Sequence, residues 1–346
     1  MTIAQSDCGR DSANACTTDA FILQLNPDGS LRYATYWGGG SNETARDIAL
    51  DSTGNMYITG SVLADLPVVG AVFQPVDGDG SKSFSDAFVT KFAANGSPIY
   101  STYLGGEQGD HGYGLVADAA GYAYVTGITF SNDFPKQNPL QTCAGGTATS
   151  SCWDAFVSKI TPTGNALAFS THLGSRFVDE GYDITLDSAG DVYVTGETGT
   201  SGFVAKLTGN GDAFRYLTRI NQGGPNEGWG IEVDSQGCVY VTGVRNPASP
   251  TEDAFLLILN DSGRVELDQR FGGMNADIGW AVAVDADQNV FMVGNTVSTD
   301  FSVTAGAFQS EFAGDTVTGD AFVAKFSLAG VMCDRQYIYL PVVLRR

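Results

Sequence analysis

Apolar and polar residues alternate along this chain in short runs, and no stretch sustains a 3.6-residue apolar period. A period of two marks half-buried strands rather than helices. The runs follow a repeated order. A D-A-F triplet begins at Asp19, Asp86, Asp154, Asp253 and Asp320, and Ser201-Gly202-Phe203 is a worn copy. After each triplet come an alternating run, a turn such as NPDGS (26–30) or AANGS (93–97), and a second run. That run ends in YWGG (36–39), YLGG (103–106), HLGS (172–175), NQGG (221–224) or FGGM (271–274). An apolar segment closed by Asp follows: DIALD (47–51), GLVAD (114–118), DITLD (183–187), GIEVD (230–234) and AVAVD (281–285). After a short turn come NMYITG (55–60), YAYVTG (122–127), DVYVTG (191–196), CVYVTG (238–243) and NVFMVG (289–294).

Each unit thus holds four short strands and three turns. Small four-stranded sheets repeated five times, with insertions at one fixed place, predict an all-β chain: a β-propeller of four-stranded antiparallel blades. The same motifs resemble the bacterial SBBP family of β-propeller repeats. Its pattern, DAFVxK followed by YSTYLGG, GIAVD and YVTG, is visible almost without gaps in 86–127, and the likeness spans about 19–326. The resemblance implies a propeller and a secreted or surface-attached bacterial protein. It implies no agreed activity, so function has to come from the site.

By analogy with other propellers, the segment closed by Asp is inner strand a and YVTG is strand b. DAFVxK is then strand c, and the run ending in Gly-Gly is outer strand d. Blades fall at about 47–106, 114–175, 183–224, 230–274 and 281–343, within one propeller domain over 19–343. Residues 19–39 form an orphan half-blade with c and d strands only. Residues 1–18 read as part of a b–c loop, so Met1 is expected to start inside an upstream repeat. Two c–d pairs compete for the a–b pair at 281–294: the local one at 320–343 and the orphan at 19–39. Locality favours the first by loop-closure entropy and ring closure favours the second by removing sheet edges; the local pairing is expected. The tail 335–346 (RQYIYLPVVLRR) is hydrophobic with a basic end and reads as a last outer strand or an attachment signal.

Composition narrows the class. Glycine is abundant, with 44 residues among 346, as tight turns between strands require. Eighteen basic against 39 acidic residues give a net charge of −21, which disfavours nucleic acid and anionic membrane surfaces and leaves cations as partners. No apolar run approaches the ~20 residues of a membrane helix, so no membrane span is expected. The N-terminus has no basic start or apolar core of a signal peptide. Among six cysteines, Cys8 and Cys16 bracket one polar loop and Cys143 and Cys152 another, each just before a D-A-F triplet. Two copies of one loop staple predict local disulfides and an extracellular or cell-surface location.

Candidate chemistry concentrates where the d–a loops lie. Glu43, Asp110, Asp179, Glu227 and Asp277 recur there. They are expected either to cap loop amides or to bind calcium or magnesium weakly. Beside them recur Arg46, Tyr113, Tyr182, Trp229 and Trp280, whose rings could pack between blades or stack on sugars. The long b–c loops 61–85, 128–153 and 295–319 are expected to wall one side of a binding face. These features point to a non-enzymatic extracellular or cell-surface module that binds a protein or carbohydrate, or serves as a structural or adhesive scaffold, through the face bearing the long b–c loops. The alternative is a metal-assisted hydrolase or lyase using His111 and the neighbouring carboxylates. No G-x-S-x-G, H-E-x-x-H or P-loop motif is present.

Overall fold

The computed structural model describes residues 17–80, 83–143, 153–199, 201–220, 226–245, 251–314 and 319–327. All regular elements among them are strands. A half-blade comes first: β1 (Ala20–Leu25) pairs with β2 (Leu31–Trp37). Blade 1 is β3 (Glu43–Leu50), β4 (Met56–Val62), β5 (Asp86–Phe92) and β6 (Pro98–Leu104). Blade 2 is β7 (Asp110–Ala117), β8 (Ala123–Thr129), β9 (Asp154–Ile160) and β10 (Leu167–Leu173). Blade 3 is β11 (Asp179–Leu186), β12 (Val192–Thr198), β13 (Ser201–Leu207) and β14 (Phe214–Ile220). Blade 4 is β15 (Asn226–Val233), β16 (Val239–Arg245), β17 (Asp253–Leu259) and β18 (Val265–Phe271). Blade 5 has three strands among the described residues, β19 (Asp277–Val284), β20 (Asn289–Thr296) and β21 (Asp320–Ser327). Every sheet is an antiparallel meander in the expected a–b–c–d order.

Strand β20 pairs with β21 along its whole length, so the local c strand takes that position. The expected outer strand at 335–343 and the tail lie outside the described residues. Two compact units divide the chain: Met1–Gly181 with Asn210–Asp212, and Tyr182–Gly209 with Ala213–Arg346.

Strand a begins four residues before its expected start in each blade. In blades 1, 2, 4 and 5 the cause is a β-bulge. Register slips between Ala45 and Asp47, Gly112 and Gly114, Gly228 and Gly230, and Gly279 and Ala281. One extra residue breaks the period of two, so the first half of the strand runs out of phase with the second.

The Asp closing strand a organises the a–b turn. Asp118 Oδ1 accepts the amides of Ala120 and Tyr122, both at 2.9 Å, and Oδ2 accepts the Tyr124 hydroxyl at 3.1 Å. Asp187 does the same with Ala189, Asp191 and Tyr193. In blade 5 the tyrosine is Phe291, and Asn289 Nδ2 donates to Asp285 instead, at 2.7 Å. These aspartates are turn residues.

Blade-on-blade packing makes the core. Val89, Tyr100 and Leu104 of blade 1 cluster with Val125, Phe156 and Ile160 of blade 2. Tyr193, Val204 and Ile220 of blade 3 cluster with Val241, Phe255 and Leu259 of blade 4. Strands a also meet directly: Asp47 accepts the Leu115 amide at 2.7 Å, and Asp183 that of Ile231 at 2.8 Å.

The described parts of the long loops of blades 1 and 2 do not rise as a wall. They fold back along outer strand d. Val69 bridges Ser101 and Gln137 bridges Ser170, in both cases as antiparallel partners. Gln74 holds Gly105 through both its amide atoms at 3.1 Å, and Gln141 accepts the Gly174 amide at 3.2 Å. An outer strand leaves a row of backbone donors and acceptors unpaired, and these loops satisfy part of it.

Candidate functional site

The d–a and b–c loops meet at one end of each blade. Phe130 donates its amide to Gly109 and Val297 to Ala276, both at 2.9 Å. At this end the recurring acids are the first residues of strand a, and they are buried: Glu43 at 1%, Asp110 at 0%, Asp179 at 2% and Asp277 at 0% exposure. The equivalent position in blade 4 is Asn226, at 1%, and not Glu227. Glu227 is half-buried on the opposite side of the strand and accepts the Trp229 indole N–H at 3.1 Å. Sequence spacing misassigned that copy because an acid follows the Asn directly.

Each acid caps the loop before it. Asp110 accepts the Gly106 amide, Asp179 the Ser175 amide and Asp277 the Gly273 amide, all at 2.7 Å. Each also accepts a serine hydroxyl, and the source of that serine varies. Ser131 and Ser298 reach Asp110 and Asp277 from the b–c loops, at 2.8 and 2.9 Å. Ser41 and Ser175 reach Glu43 and Asp179 from the d–a loops, at 3.2 and 3.1 Å.

The D-A-F aspartate lies beside this acid. A Cβ at Gly105 would overlap oxygens of both Asp86 and Asp110, and one at Gly272 those of Asp253 and Asp277. Gly38 stands likewise between Asp19 and Glu43. The first glycine of the Gly-Gly motif therefore makes room for two carboxyl groups. Burial, opposed by the Gly78 amide and reinforced by Asp110, Asp77 and Asp79, pushes Asp86 up to about 8. Burial pushes Asp110 and Glu43 each up to about 7. Two carboxyls this close in a dry site do not both ionise readily. In the worn copy both members change together, to Ser201 and Asn226.

The recurring strand-a aromatic residues form the exposed part of the site. Tyr182 stacks on Trp229, with centroids 4.8 Å apart and planes at 15°. Trp229 meets Trp280 edge to face at 4.6 Å. Trp280 is 45% exposed, and its indole N–H donates to Asn295 at 2.6 Å. The rings form one row across blades 3 to 5, with their N–H groups satisfied and ring surface turned outward. In the other unit Arg46 lies over Tyr113 at 5.6 Å, while His111, Phe130 and the exposed Trp153 make a second aromatic chain. Trp153 carried no sequence signal beyond its place before D-A-F.

His111 sits one residue after Asp110, so the two side chains leave opposite faces of β7. Its Nε2 bonds Ser85 Oγ at 2.8 Å, and burial, then Arg46, lowers its pKa. Among the described residues no three His, Cys, Asp or Glu side chains are placed to hold a metal ion. Among the described residues His111 and the neighbouring carboxylates are not gathered into one such cluster. Cys8, Cys16 and Cys152 lie outside the described residues, and the two expected pairings with them; none of the described cysteines is free.

A family model for the SBBP β-propeller repeat matches residues 99–135 and 168–203. These two stretches are similar to SBBP β-propeller repeats. Both matches run from strand d of one blade into the a–b strands of the next, across the Gly-Gly and acid positions. Regulatory protein FlaEY of Caulobacter vibrioides is 27% identical over 185 residues, which are 53% of this chain and 18% of that protein. The matched stretch is thus under a fifth of that relative. A Bacteroides caccae protein of unknown function is similar in structure over 81% of this chain and 84% of its own, at 10% identity and a TM-score of 0.45. A gluconolactonase from Xanthomonas campestris is similar over 79% and 75%, at 13% identity and a TM-score of 0.42. Among the described residues no helix is long and apolar enough to cross a membrane.

Proposed function

We propose that this SBBP-repeat chain is a non-enzymatic binding module that takes a neutral carbohydrate on its row of strand-a bulge residues, in a secreted or surface-attached setting. The observation that carries the reading is the Tyr182–Trp229–Trp280 row. Bulges expel Trp229 and Trp280 from the ladders of blades 4 and 5, and Tyr182 stacks in line with them, so successive rings line up at blade spacing. Ring faces favour the C–H surface of a sugar, and Glu227 and Asn295 at the ring edges supply acceptors for its hydroxyls. The net charge of −21 argues against an acidic glycan. The extracellular setting rests on the two cysteine-bracketed loops of the sequence.

Titration of tryptophan fluorescence with a panel of neutral oligosaccharides tests this. A saturable change is expected for at least one glycan, with affinity reduced about tenfold or more in Trp280→Ala. Absence of binding across the panel, or binding unaltered in Trp280→Ala and Trp229→Ala, would overturn it.

A further inference from the structure

Strand d is the outer edge of a blade, and blades 1 and 2 cover theirs with their own chain. Val69 and Ser101 exchange backbone hydrogen bonds at 3.4 and 3.0 Å, as do Gln137 and Ser170 at 3.1 and 2.8 Å. Tyr103 and His172 donate their amides to Gln74 and Gln141, at 3.2 and 3.3 Å. Ser101 and Ser170 are fully buried beneath this cover. The covering residues come from the b–c connections, 63–85 in blade 1 and 130–153 in blade 2.

Blade 3 lies inside the repeat and has no such connection. Only residues 199 and 200 separate β12 from β13, so this loop cannot reach the outer edge. Among the described residues β14 pairs with β13 alone. Leu217 stands opposite Ala205, as Ser101 does opposite Thr90 and Ser170 opposite Ser158. In an antiparallel ladder that register turns the N–H and C=O of Arg215, Leu217 and Arg219 outward. Leu217 is 54% exposed, whereas its two counterparts are at 0%. An open row of backbone donors and acceptors is a template for another strand.

The side chains along this edge decide what that strand carries. β6 and β10 hold no Asp, Glu, Lys or Arg, whereas β14 holds Arg215 and Arg219 on one face with Leu217 between them. Both arginines are exposed. Arg215 reaches Asp191 at 3.5 Å, and Arg219 has no carboxylate partner among the described residues. β13 beside it adds Lys206 and no acid. A chain of net charge −21 thus keeps a basic edge here. A second copy does not fit it. Two β14 edges paired antiparallel about Leu217 would set Arg215 against Arg219 twice, and like charges directly opposite destabilise a pair.

We propose that β14 takes an acidic, extended segment of another protein as an added strand. Main-chain bonds to Arg215, Leu217 and Arg219 supply the pairing, and side chains at every second position supply the choice. With the antiparallel sense found at Ser101 and Ser170, an apolar residue sits opposite Leu217, and a carboxylate two places to either side sits opposite each arginine. The recognised pattern is therefore acid-x-apolar-x-acid. This edge lies across the sheet from β11, so the site is separate from the aromatic row.

Fluorescence anisotropy of a labelled STETVTETS peptide with the full chain tests this. Saturable binding is expected below ~1 mM, a usual range for a short added strand. Three changes should each weaken it at least about tenfold: N-methylation of the peptide valine, lysine in place of both its glutamates, and Arg219→Glu in the protein. The lysine peptide should instead bind the Arg219→Glu variant more tightly than wild type. Arg219 is exposed, so the variant's melt should match wild type. Absence of saturable binding overturns the proposal. So does an N-methylated peptide that binds equally, because charge alone then carries the contact. A wild-type mass that rises with concentration in light scattering, and falls back in Leu217→Pro, gives the edge to a second copy and overturns it as well.

Discussion

Two blade junctions solve one packing problem with different chemistry. Where blade 1 meets blade 2, Asp86 and Asp110 face each other across Gly105, and Asp110 accepts an amide and a hydroxyl. Where blade 3 meets blade 4, Ser201 and Asn226 occupy those places, and Asn226 donates its amide to Ile220 O at 2.9 Å. The first junction collects donors around an acid, whereas the second spends a donor on a strand-d carbonyl. A carboxylate cannot make that second bond. The pair therefore changes as a unit, and the first junction responds to pH where the second does not.

The largest effect is expected from Asp110→Ala, which leaves the Gly106 amide and the Ser131 hydroxyl without their acceptor in a buried site. Stability should fall by about 3 kcal/mol in urea unfolding, and Asp277→Ala should behave alike. Asn226→Asp should cost about 2 kcal/mol, because a carboxylate oxygen then faces the Ile220 carbonyl. Its cost should shrink at pH 5, where the new acid is protonated and donates again; a cost independent of pH would remove the donor argument.

A smaller effect separates the junctions by pH. The raised Asp86, Asp110 and Glu43 bind protons in the folded state that the unfolded chain has released above pH ~4. Their contribution is complete below the unfolded pKa and is lost as pH rises through about 7 to 8. Asp51 runs the other way. Its Thr53 and Asn55 bonds outweigh burial and lower its pKa, so its contribution is lost on acidification below the unfolded value. The melting temperature should therefore peak near pH ~5 and drop by a few degrees toward pH ~8. Asp86→Asn should flatten the alkaline side.

The smallest expected effect is from divalent cations. Asp110 and Asp277 already accept N–H and O–H donors, so calcium or magnesium should raise the melting temperature no more than sodium at matched ionic strength. A calcium-specific rise would place a cation at the acid pairs after all.

The blades were legible because D-A-F, Gly-Gly and Y-V-T-G each mark a strand or turn whose chemistry is local. The register of strand a was not. A bulge is a feature of pairing between two strands, and neither strand alone shows the slip at Gly112 and Gly114. The aromatic residues were visible as a column, yet their stacking depends on neighbouring blades. The acid pairs were hidden for the same reason: Asp86 and Asp110 are 24 positions apart and meet only when strand d turns back through Gly105. Loop lengths misled as well, since the described parts of the b–c insertions of blades 1 and 2 dress strand d instead of walling the face.

The most direct measurement is the titration of the Asp86 and Asp110 side-chain carboxyl carbons by NMR with selectively labelled aspartate. The pair is predicted to titrate with apparent midpoints near 7 and 8, and Asp110→Asn should bring Asp86 down, because Asp110 is among the charges that raise it. Midpoints below pH ~5 for both groups would contradict the account, because two freely ionised neighbours could not be the buried pair described for this junction.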